Sequence, residues 1–245
     1  MNSSTIAALD FAPYFCSKQA DLATDAALMR DVQALRFQVY CIECGFLPAQ
    51  DYPDRLEHDE RDAASQHFCS FNLKRELVGY LRLVPPDAGQ RFPFPFQSHC
   101  TDFLEGVSLP QPAEAAEISR LMVRQDYRRR GGDLLAGVTL TEAGADAAAT
   151  KDRRDPSPQI MLSLYRRMYT YSLDHGIRFW YAAMERSLAR ALTRMHFAFR
   201  QVGPQTDYFG PVAPYLADLR ELEVQVGASN PALLAWMQRR GPEDA

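Results

Sequence analysis

The stretch Glu117-Ile118-Ser119-Arg120-Leu121-Met122-Val123 carries an acid, a hydroxyl and a guanidinium inside an aliphatic run of strand composition. Asp126-Tyr127-Arg128-Arg129-Arg130-Gly131-Gly132 follows at once, an arginine-rich glycine turn. A strand that delivers polar groups and then breaks into such a turn suits acyl transfer from a phosphate-bearing donor. Attack of an amine on a thioester needs a neutral amine, a hydrogen-bond donor for the developing oxyanion and a relay for the leaving thiolate. Glu117 is the candidate to take the amine's proton, directly or through water, because a central strand would hold it rigidly. In a flat strand Glu117, Ser119, Leu121 and Val123 share one face and Arg120 takes the other, a parity that a bulge would change. Backbone N–H near Met122 or Val123 is the candidate oxyanion donor, which makes Glu117, Ser119 and Val123 the catalytic set. Arg128, Arg129, Arg130, Gly131 and Gly132, at a helix start, suit the donor's phosphate.

These groups need a scaffold, and the apolar pattern outlines one. Leu28, Val32, Leu35, Val39 and Ile42 recur at steps of three and four, so residues 25–44 read as an amphipathic helix that Gly45 stops. Arg36 and Tyr40, four apart, share a face of it. Residues 67–73 and 77–84 read as a β-hairpin around Lys74-Arg75-Glu76, ended by Pro85-Pro86. Residues 90–112, rich in proline and phenylalanine, read as an irregular loop over apolar surface. Residues 134–157 read as a mobile insertion, 159–175 as a helix stopped by Gly176, and 177–184 as a strand buried on both faces. A helix over 187–199 follows, with its start as early as Glu185, then strands over 201–209 and 219–226 with prolines breaking the connection. Asn230 caps a last helix with Pro231 in its first position, part of a helical extension over 229–245. The order predicts one α/β domain, a central mixed twisted sheet with helices on both faces.

Composition narrows the function classes. A net charge of -4 argues against general nucleic-acid binding. No run approaches the roughly 20 apolar residues of a membrane helix, and residues 1–10 lack the pattern of a secretory signal, so the expected address is the cytoplasm. Five cysteines, an odd number, do not read as a disulfide framework. Cys41-x-x-Cys44 with His67 and Cys69 offers two close pairs for zinc, but one pair ends a helix and the other shares a strand face with Phe71, so no metal is expected. Charge is uneven: residues 51–62 hold six acids against Arg55 and Arg61, while residues 120–167 hold ten bases against six acids. The basic cluster, including Arg128 to Arg130, Arg153, Arg154, Arg166 and Arg167, reads as a solvated face or as a dock for an acidic partner.

Arg36 with Tyr40, Glu57-His58-Asp59-Glu60-Arg61-Asp62, Gly79-Tyr80-Leu81-Arg82-Leu83 and Glu117-Ile118-Ser119-Arg120 stand in that order along the chain. The set resembles the acyl-homoserine-lactone (autoinducer) synthase branch of the Gcn5-related N-acetyltransferase (GNAT) superfamily, marked by an Arg and an aromatic on the first helix, an E-x-D-x-x-D stretch, a strand with Gly and R-L, and E-I-S-R. Val39-Tyr40-Cys41, Cys44-Gly45-Phe46-Leu47 and Ser65-Gln66-His67 resemble more closely that branch's relatives, the N-acyl amino acid synthases and the acyltransferases associated with the PEP-CTERM/exosortase system. The resemblance implies a GNAT-like acyltransferase whose Arg36, Tyr40, Asp59, Asp62, Arg82 and Arg120 bind the acceptor, four of them (Asp59, Asp62, Arg82, Arg120) as an ion-pair network and Arg36 as a clamp for its carboxylate. The tryptophan that autoinducer synthases carry after the first helix is absent, with Phe46 and Leu47 nearby, which turns the expectation away from S-adenosylmethionine. The superfamily's pyrophosphate loop keeps its first glycine but not its last, which favours acyl-phosphopantetheine on acyl carrier protein over acyl-coenzyme A, with no permanently bound cofactor. The expected reaction moves a long-chain fatty acyl group from acyl carrier protein to the amine of an amino acid or similar small molecule. Three alternatives stay open: an autoinducer synthase using S-adenosylmethionine, a non-catalytic protein that binds acyl carrier protein, acyl chains or lipid on the same fold, and an enzyme that acylates a lysine or N-terminus of a protein.

Overall fold

The computed structural model describes residues 15–128 and 157–240. The glycine turn at Arg129 to Gly132 and nearly all of the insertion expected at 134–157 lie outside them, as do residues 241–245 of the C-terminal extension. Strands β1 (Phe15–Ala20), β2 (Gln66–Asn72), β3 (Leu77–Val84), β4 (Ala115–Val123), β5 (Phe179–Met184), β6 (Arg200–Gln201), β7 (Thr206–Asp207) and β8 (Pro211–Asp218) join in the order β1-β2-β3-β4-β5-β8-β6, with β7 paired to β8. Neighbours are antiparallel except β4 and β5, which run parallel. This is the expected mixed sheet. On one face lie α2 (Ser157–Asp174), α3 (Arg186–Arg194), α4 (Leu219–Ser229) and α5 (Pro231–Gln238), whose apolar sides close over Trp180, Leu83 and Ile118. On the other face α1 (Ala26–Phe37) covers Tyr80, Cys69 and Met122, and the loop at 90–112 lays Phe94 and Phe96 over Tyr181 and Leu216.

The first helix starts where its sequence predicts. Asp25 caps it, accepting from the backbone N–H of Leu28 at 2.9 Å, and Leu28, Val32 and Leu35 are buried. From Gln38 to Glu43 the helix widens into a π-turn, sealed by Cys44 N–H on the Val39 carbonyl at 2.9 Å. The wider turn breaks the apolar phase, so Val39 stays buried but Ile42, expected on the same stripe, is 49% exposed. Gly45 then leaves with φ of +63°.

Three expectations fail near the C-terminus, the first being the strand over 201–209, where only the two-residue β6 and β7 form. Residues 219–226 form helix rather than strand: Asp218 caps α4 through Arg220 N–H, and Leu219, Leu222 and Val226 fall three and four apart into the core. The strand is instead the proline-containing β8. Pro214 accepts Val202 N–H through its carbonyl at 2.9 Å, so its nitrogen also faces the short β6 side and takes no donor from the β5 ladder. The helix expected over 187–199 ends at Arg194, since His196 and Ala198 take positive φ, while Asn230 caps α5 through Leu233 N–H at 3.0 Å with Pro231 first, as expected. The unforeseen β1 adds an edge strand beside β2.

Gly79 sets how closely α2 approaches β3. A Cβ there would lie 2.4 Å from Ile160 Cγ2, a branch atom with little room to move. Gly79→Ala is therefore expected to destabilise the domain by about 1–3 kcal/mol, read as a lower Tm and a lower denaturant midpoint at unchanged slope.

Candidate functional site

The central strand is irregular where its chemistry lies. Arg82 pairs with Ser119 and Tyr80 with Met122, so the single residue Leu81 faces both Arg120 and Leu121 in a β-bulge. Arg120 adopts φ of +53°, an unfavourable conformation for a side chain of its size. The bulge overturns the flat-strand parity: Glu117, Ser119 and Arg120 face the α1 side, while Leu121 and Val123 turn into the helical core with Ile118. Pairing between β4 and β5 stops at Glu117 and Tyr181, although β4 runs on to Val123 and β5 to Met184. The diverging strands open a cavity of about 440 Å³, walled on the two sides by residues 118–121 and 182–184.

One end of this cavity is largely aliphatic, with Tyr165 its one ring, and the other charged and aromatic. Ala182, Ala183, Met184, Leu188, Val212 and Tyr165 line the first; Asp59, Arg82, Glu117, Arg120, His99 and Tyr208 belong to the second. The charged end rests on six alternating ions. Arg36 binds Glu57 through Nε and Asp62 through Nη1, the latter at 2.6 Å. Arg82 Nη1 donates to Asp59 and to Asp62, each at 2.6 Å, and its Nε to Ser119 Oγ at 2.9 Å. Arg120 Nη2 reaches Glu57 at 3.0 Å and Asp59 at 3.2 Å, with its guanidinium 4.9 Å from the centre of the Tyr40 ring. Three guanidinium groups thus cancel three carboxylates in a sealed cluster. Burial by itself would raise the Asp59 carboxyl, but the Arg82 hydrogen bond and charge, with Arg120 and Arg36, hold it down to about 2.

Glu117 stands apart from that cluster. Its side chain is 3% exposed and accepts the Phe96 backbone N–H at 3.0 Å. Burial pushes its carboxyl up, and the Phe96 hydrogen bond and the charges of Arg82 and Arg120 pull back only part of the way, leaving it at about 7. A carboxyl at that value is half ionised near neutrality, which suits a general base. Tyr208 is raised as well, first by burial and then by the Glu117 charge.

The expected site residues divide accordingly. Glu117, Ser119, Arg120, Arg82, Asp59 and Tyr40 meet at the cavity. Asp62 lies behind, holding Arg36 and Arg82. Arg36, expected to clamp an acceptor carboxylate, does not line the cavity: it is fully buried with its charge matched by Glu57 and Asp62, a structural post for the acidic loop. Met122 packs on Tyr80 under α1, and Val123 lies beyond the cavity wall. Of their two amides only one faces the gap. Arg124 N–H donates to Val78 O at 2.8 Å, so by alternation Val123 N–H points away from β3 and toward the opening beside β5. Arg128 is buried and paired with Glu43, and Arg129, Arg130, Gly131 and Gly132 lie outside the described residues.

The basic cluster at 120–167 is also reassigned where it can be followed. Arg167 binds the Ser17 carbonyl, and Arg166 binds the Arg239 carbonyl and lies over the Trp236 ring, so both secure the fold. A basic stripe appears elsewhere: Arg186, Arg190 and Arg194 lie four apart on the exposed side of α3, and among the described residues none is ion-paired, while Leu188 on the inner side lines the cavity.

Sequence reasoning passed over several contributors. Glu57, the first acid of its stretch, is fully buried between Arg36 and Arg120. The aromatic roof comes from three separate loops, with His99 stacked on Tyr208 at 4.1 Å and Phe209 beside Phe46 at 6.4 Å. Only tertiary packing gathers those rings. His67, considered for zinc, bonds Tyr80 Oη at 2.6 Å and the Asp62 carbonyl at 3.0 Å; among the described residues no group of three or more His, Cys, Asp or Glu is set to hold a metal.

Residues 35–137 match the family model of the acetyltransferase (GNAT) domain. No curated protein sequence matches the chain. Among solved structures, the acyl-homoserine-lactone synthase LasI superposes with a TM-score of 0.61 at 14% identity, covering 89% of this chain and 96% of its own. The coenzyme A-dependent acyl-homoserine-lactone synthase BjaI, solved with S-adenosylmethionine and isopentyl-coenzyme A, gives 0.60 at 16%, covering 92% and 99%. FeeM, an N-acyl amino acid synthase from uncultured soil microbes, gives 0.54 at 15%, covering 89% and 97%. The fold is the GNAT acyltransferase fold, in the form these acyl-transferring synthases share.

Removing one member of the sealed cluster leaves opposite charges buried and unpaired. Arg36→Ala is expected to cost about 3–5 kcal/mol in chemical denaturation, although Arg36 has no surface in the cavity. An exposed member of the stripe, Arg194→Ala, should stay within about 0.5 kcal/mol of the parent protein.

Proposed function

We propose that this protein is an N-acyltransferase that moves a fatty acyl group from the thioester of acyl carrier protein to the amine of an amino acid or similar small molecule. The observation that carries the reading is Glu117: a carboxyl poised near neutrality on the wall of a cavity whose other end is aliphatic. The amine sits at the charged end and gives its proton to Glu117. Its nitrogen attacks the thioester carbonyl, whose oxygen takes the charge and is met by a backbone N–H of β4 on the side that faces the gap between β4 and β5. Collapse of the tetrahedral intermediate expels the phosphopantetheine thiolate. The acyl chain lies along Ala182, Met184, Leu188 and Val212, where burial of methylenes contributes about 0.8 kcal/mol each. Arg82 and Arg120, fixed by the acidic loop, set the electrostatic floor, and Ser119 is oriented by Arg82.

The carrier protein is favoured over coenzyme A by the incomplete glycine turn and by the exposed arginine stripe on α3, which adjoins the cavity and suits an acidic protein surface. Such donors belong to the cytoplasm, the address this reading assigns. Among the described residues no helix is long and apolar enough to cross a membrane. Within the class, the Val39-Tyr40-Cys41 and Cys44-Gly45-Phe46-Leu47 wording supports a role beside the exosortase-associated acyltransferases.

Incubation with acyl carrier protein thioesters and a pool of amino acids and related amines is expected to give N-acyl products by mass spectrometry. Lactone formed from S-adenosylmethionine would favour the autoinducer reading instead, and thiol release without amide would count against both. Glu117→Gln should lower kcat by about 10²–10⁴-fold. In the parent protein kcat/KM should rise with pH through a midpoint near 7 as the carboxyl ionises, and the variant should lose that limb. Stability runs the other way. A carboxyl whose folded pKa is raised favours folding below its unfolded value near 4.5, and that contribution fades as pH rises through 7.

Replacing Arg186, Arg190 and Arg194 together by alanine should raise KM for acyl carrier protein about tenfold or more, equal to about 1.4 kcal/mol, and flatten its salt dependence. The rate with a small acyl-thioester mimic should be unchanged. Equal loss with both donors would place the stripe's role in the fold rather than in docking.

A further inference from the structure

The aliphatic end of the cavity holds a polar group that the acyl-transfer reading leaves idle. Tyr165 comes up from α2, is 1% exposed and lines that end with Ala182, Ala183, Met184, Leu188 and Val212. Its ring is fixed edge-on in the core, with its centroid 6.0 Å from that of Trp180 and 5.3 Å from that of Phe197, so the part that reaches the cavity is the hydroxyl at its tip. Among the described residues that hydroxyl makes no hydrogen bond, and burial alone raises its pKa, with no charge or bonded partner contributing. A desolvated hydroxyl without a partner costs free energy, and buried hydroxyls are normally bonded. Tyr169, four residues on, shows the usual outcome: its hydroxyl donates to Glu223. A buried water makes about three hydrogen bonds, and the side chains around Tyr165 give one no second partner. A phenol raised above its ordinary range is also a poor acid for a leaving thiolate, and it stands at the far end of the cavity from Glu117. What reaches Tyr165 in the reaction is the acyl chain itself.

Resting on the acyl-transfer reading above, we infer that Tyr165 selects an acyl chain that carries an oxygen, a hydroxyl or keto group, on its body beyond the carbons that flank the thioester. A phenol hydroxyl can donate to either group and accept from the first. The placement follows from the cavity: the carbonyl is attacked beside Glu117 at the charged end, and Tyr165 meets the chain further in, among apolar side chains. A plain chain is still bound by its methylenes, but it covers the hydroxyl and returns no bond. Tyr165 is in this way a specificity residue and takes no part in the bonds made or broken.

The full-length protein, with the pool of amino acids and related amines as acceptors, is given acyl carrier protein thioesters of matched chain length. Each is either plain or carries a single hydroxyl or keto oxygen, moved along the chain, and amide formation is followed by mass spectrometry. One inner position is expected to exceed the plain chain in kcat/KM by about tenfold, equal to about 1.4 kcal/mol. Tyr165→Phe keeps the ring and removes the oxygen, so it should lose that preference, lowering the oxygenated chain and raising the plain one several-fold, at a Tm no lower than that of the parent protein. Plain chains acylated as well as every oxygenated one, or a preference confined to the carbons beside the carbonyl, would overturn the inference and leave the acyl-transfer reading standing. Equal loss on both chains in Tyr165→Phe would overturn it too, since the hydroxyl would then serve the fold or the chemistry. No amide from any donor, with thiol released, would remove the acyl-transfer reading and this inference with it.

Discussion

Six charges hold this site together, and the charged end of the cavity is placed by them. Arg36 comes from α1, Glu57, Asp59 and Asp62 from an irregular loop, Arg82 from β3 and Arg120 from β4. Each carboxylate in the cluster meets at least two guanidinium groups, so a loop with little regular structure is fixed by ion pairs where helices and strands are fixed by backbone ladders. The bulge conformation of Arg120, strained by roughly 1–3 kcal/mol, persists because Glu57 and Asp59 take its side chain there. A cluster of this kind gives little net stability over an apolar equivalent, but it tolerates no single omission.

Its second effect is on the neighbour it leaves out. Glu117 lies beside three guanidinium groups whose charges are already spent on other carboxylates, so their pull on it is weak compared with the cost of its own burial. Asp59 and Glu117, both carboxylates on one cavity wall, are thereby driven in opposite directions, to about 2 and about 7. One stays an anion that positions, and the other exchanges a proton near neutrality. The difference is made by partners rather than by residue type.

Much of the scaffold was legible because local chemistry agreed with the global fold: the Asp25-capped helix, the β2–β3 hairpin, the central strand, and Asn230-Pro231 at the last helix. Where it was not, a local signal was ambiguous. Leu219 to Val226 carries apolar residues dense enough for either period, and only the Asp218 cap and the core contacts decide for helix. Pro211 and Pro214 read as breaks, yet Pro214 sits in a strand because its missing N–H falls away from the β5 ladder. The edge strand β1 has too little apolar alternation to be read without its partner. Within the site, the polar motifs were visible as an ordered set, and Glu57 belonged to that set unrecognised. His99, Tyr208 and Phe209 had no local signal at all, since residues over a hundred apart in sequence become neighbours only through the sheet. The role of Arg36 was misread for a different reason: sequence shows a charge and its neighbours but not whether solvent reaches it.

The early parting of β4 from β5 has a consequence for how substrate affinity is stored. A sheet that ends its own ladder at Glu117 leaves two strand edges facing each other whose amides and carbonyls, among the described residues, do not pair across the gap. An extended chain of amide units laid between them would complete the sheet as one more strand would. Recognition of that kind would be written in the backbone and depend on no particular side chain, so the residues around it could change without loss of the grip.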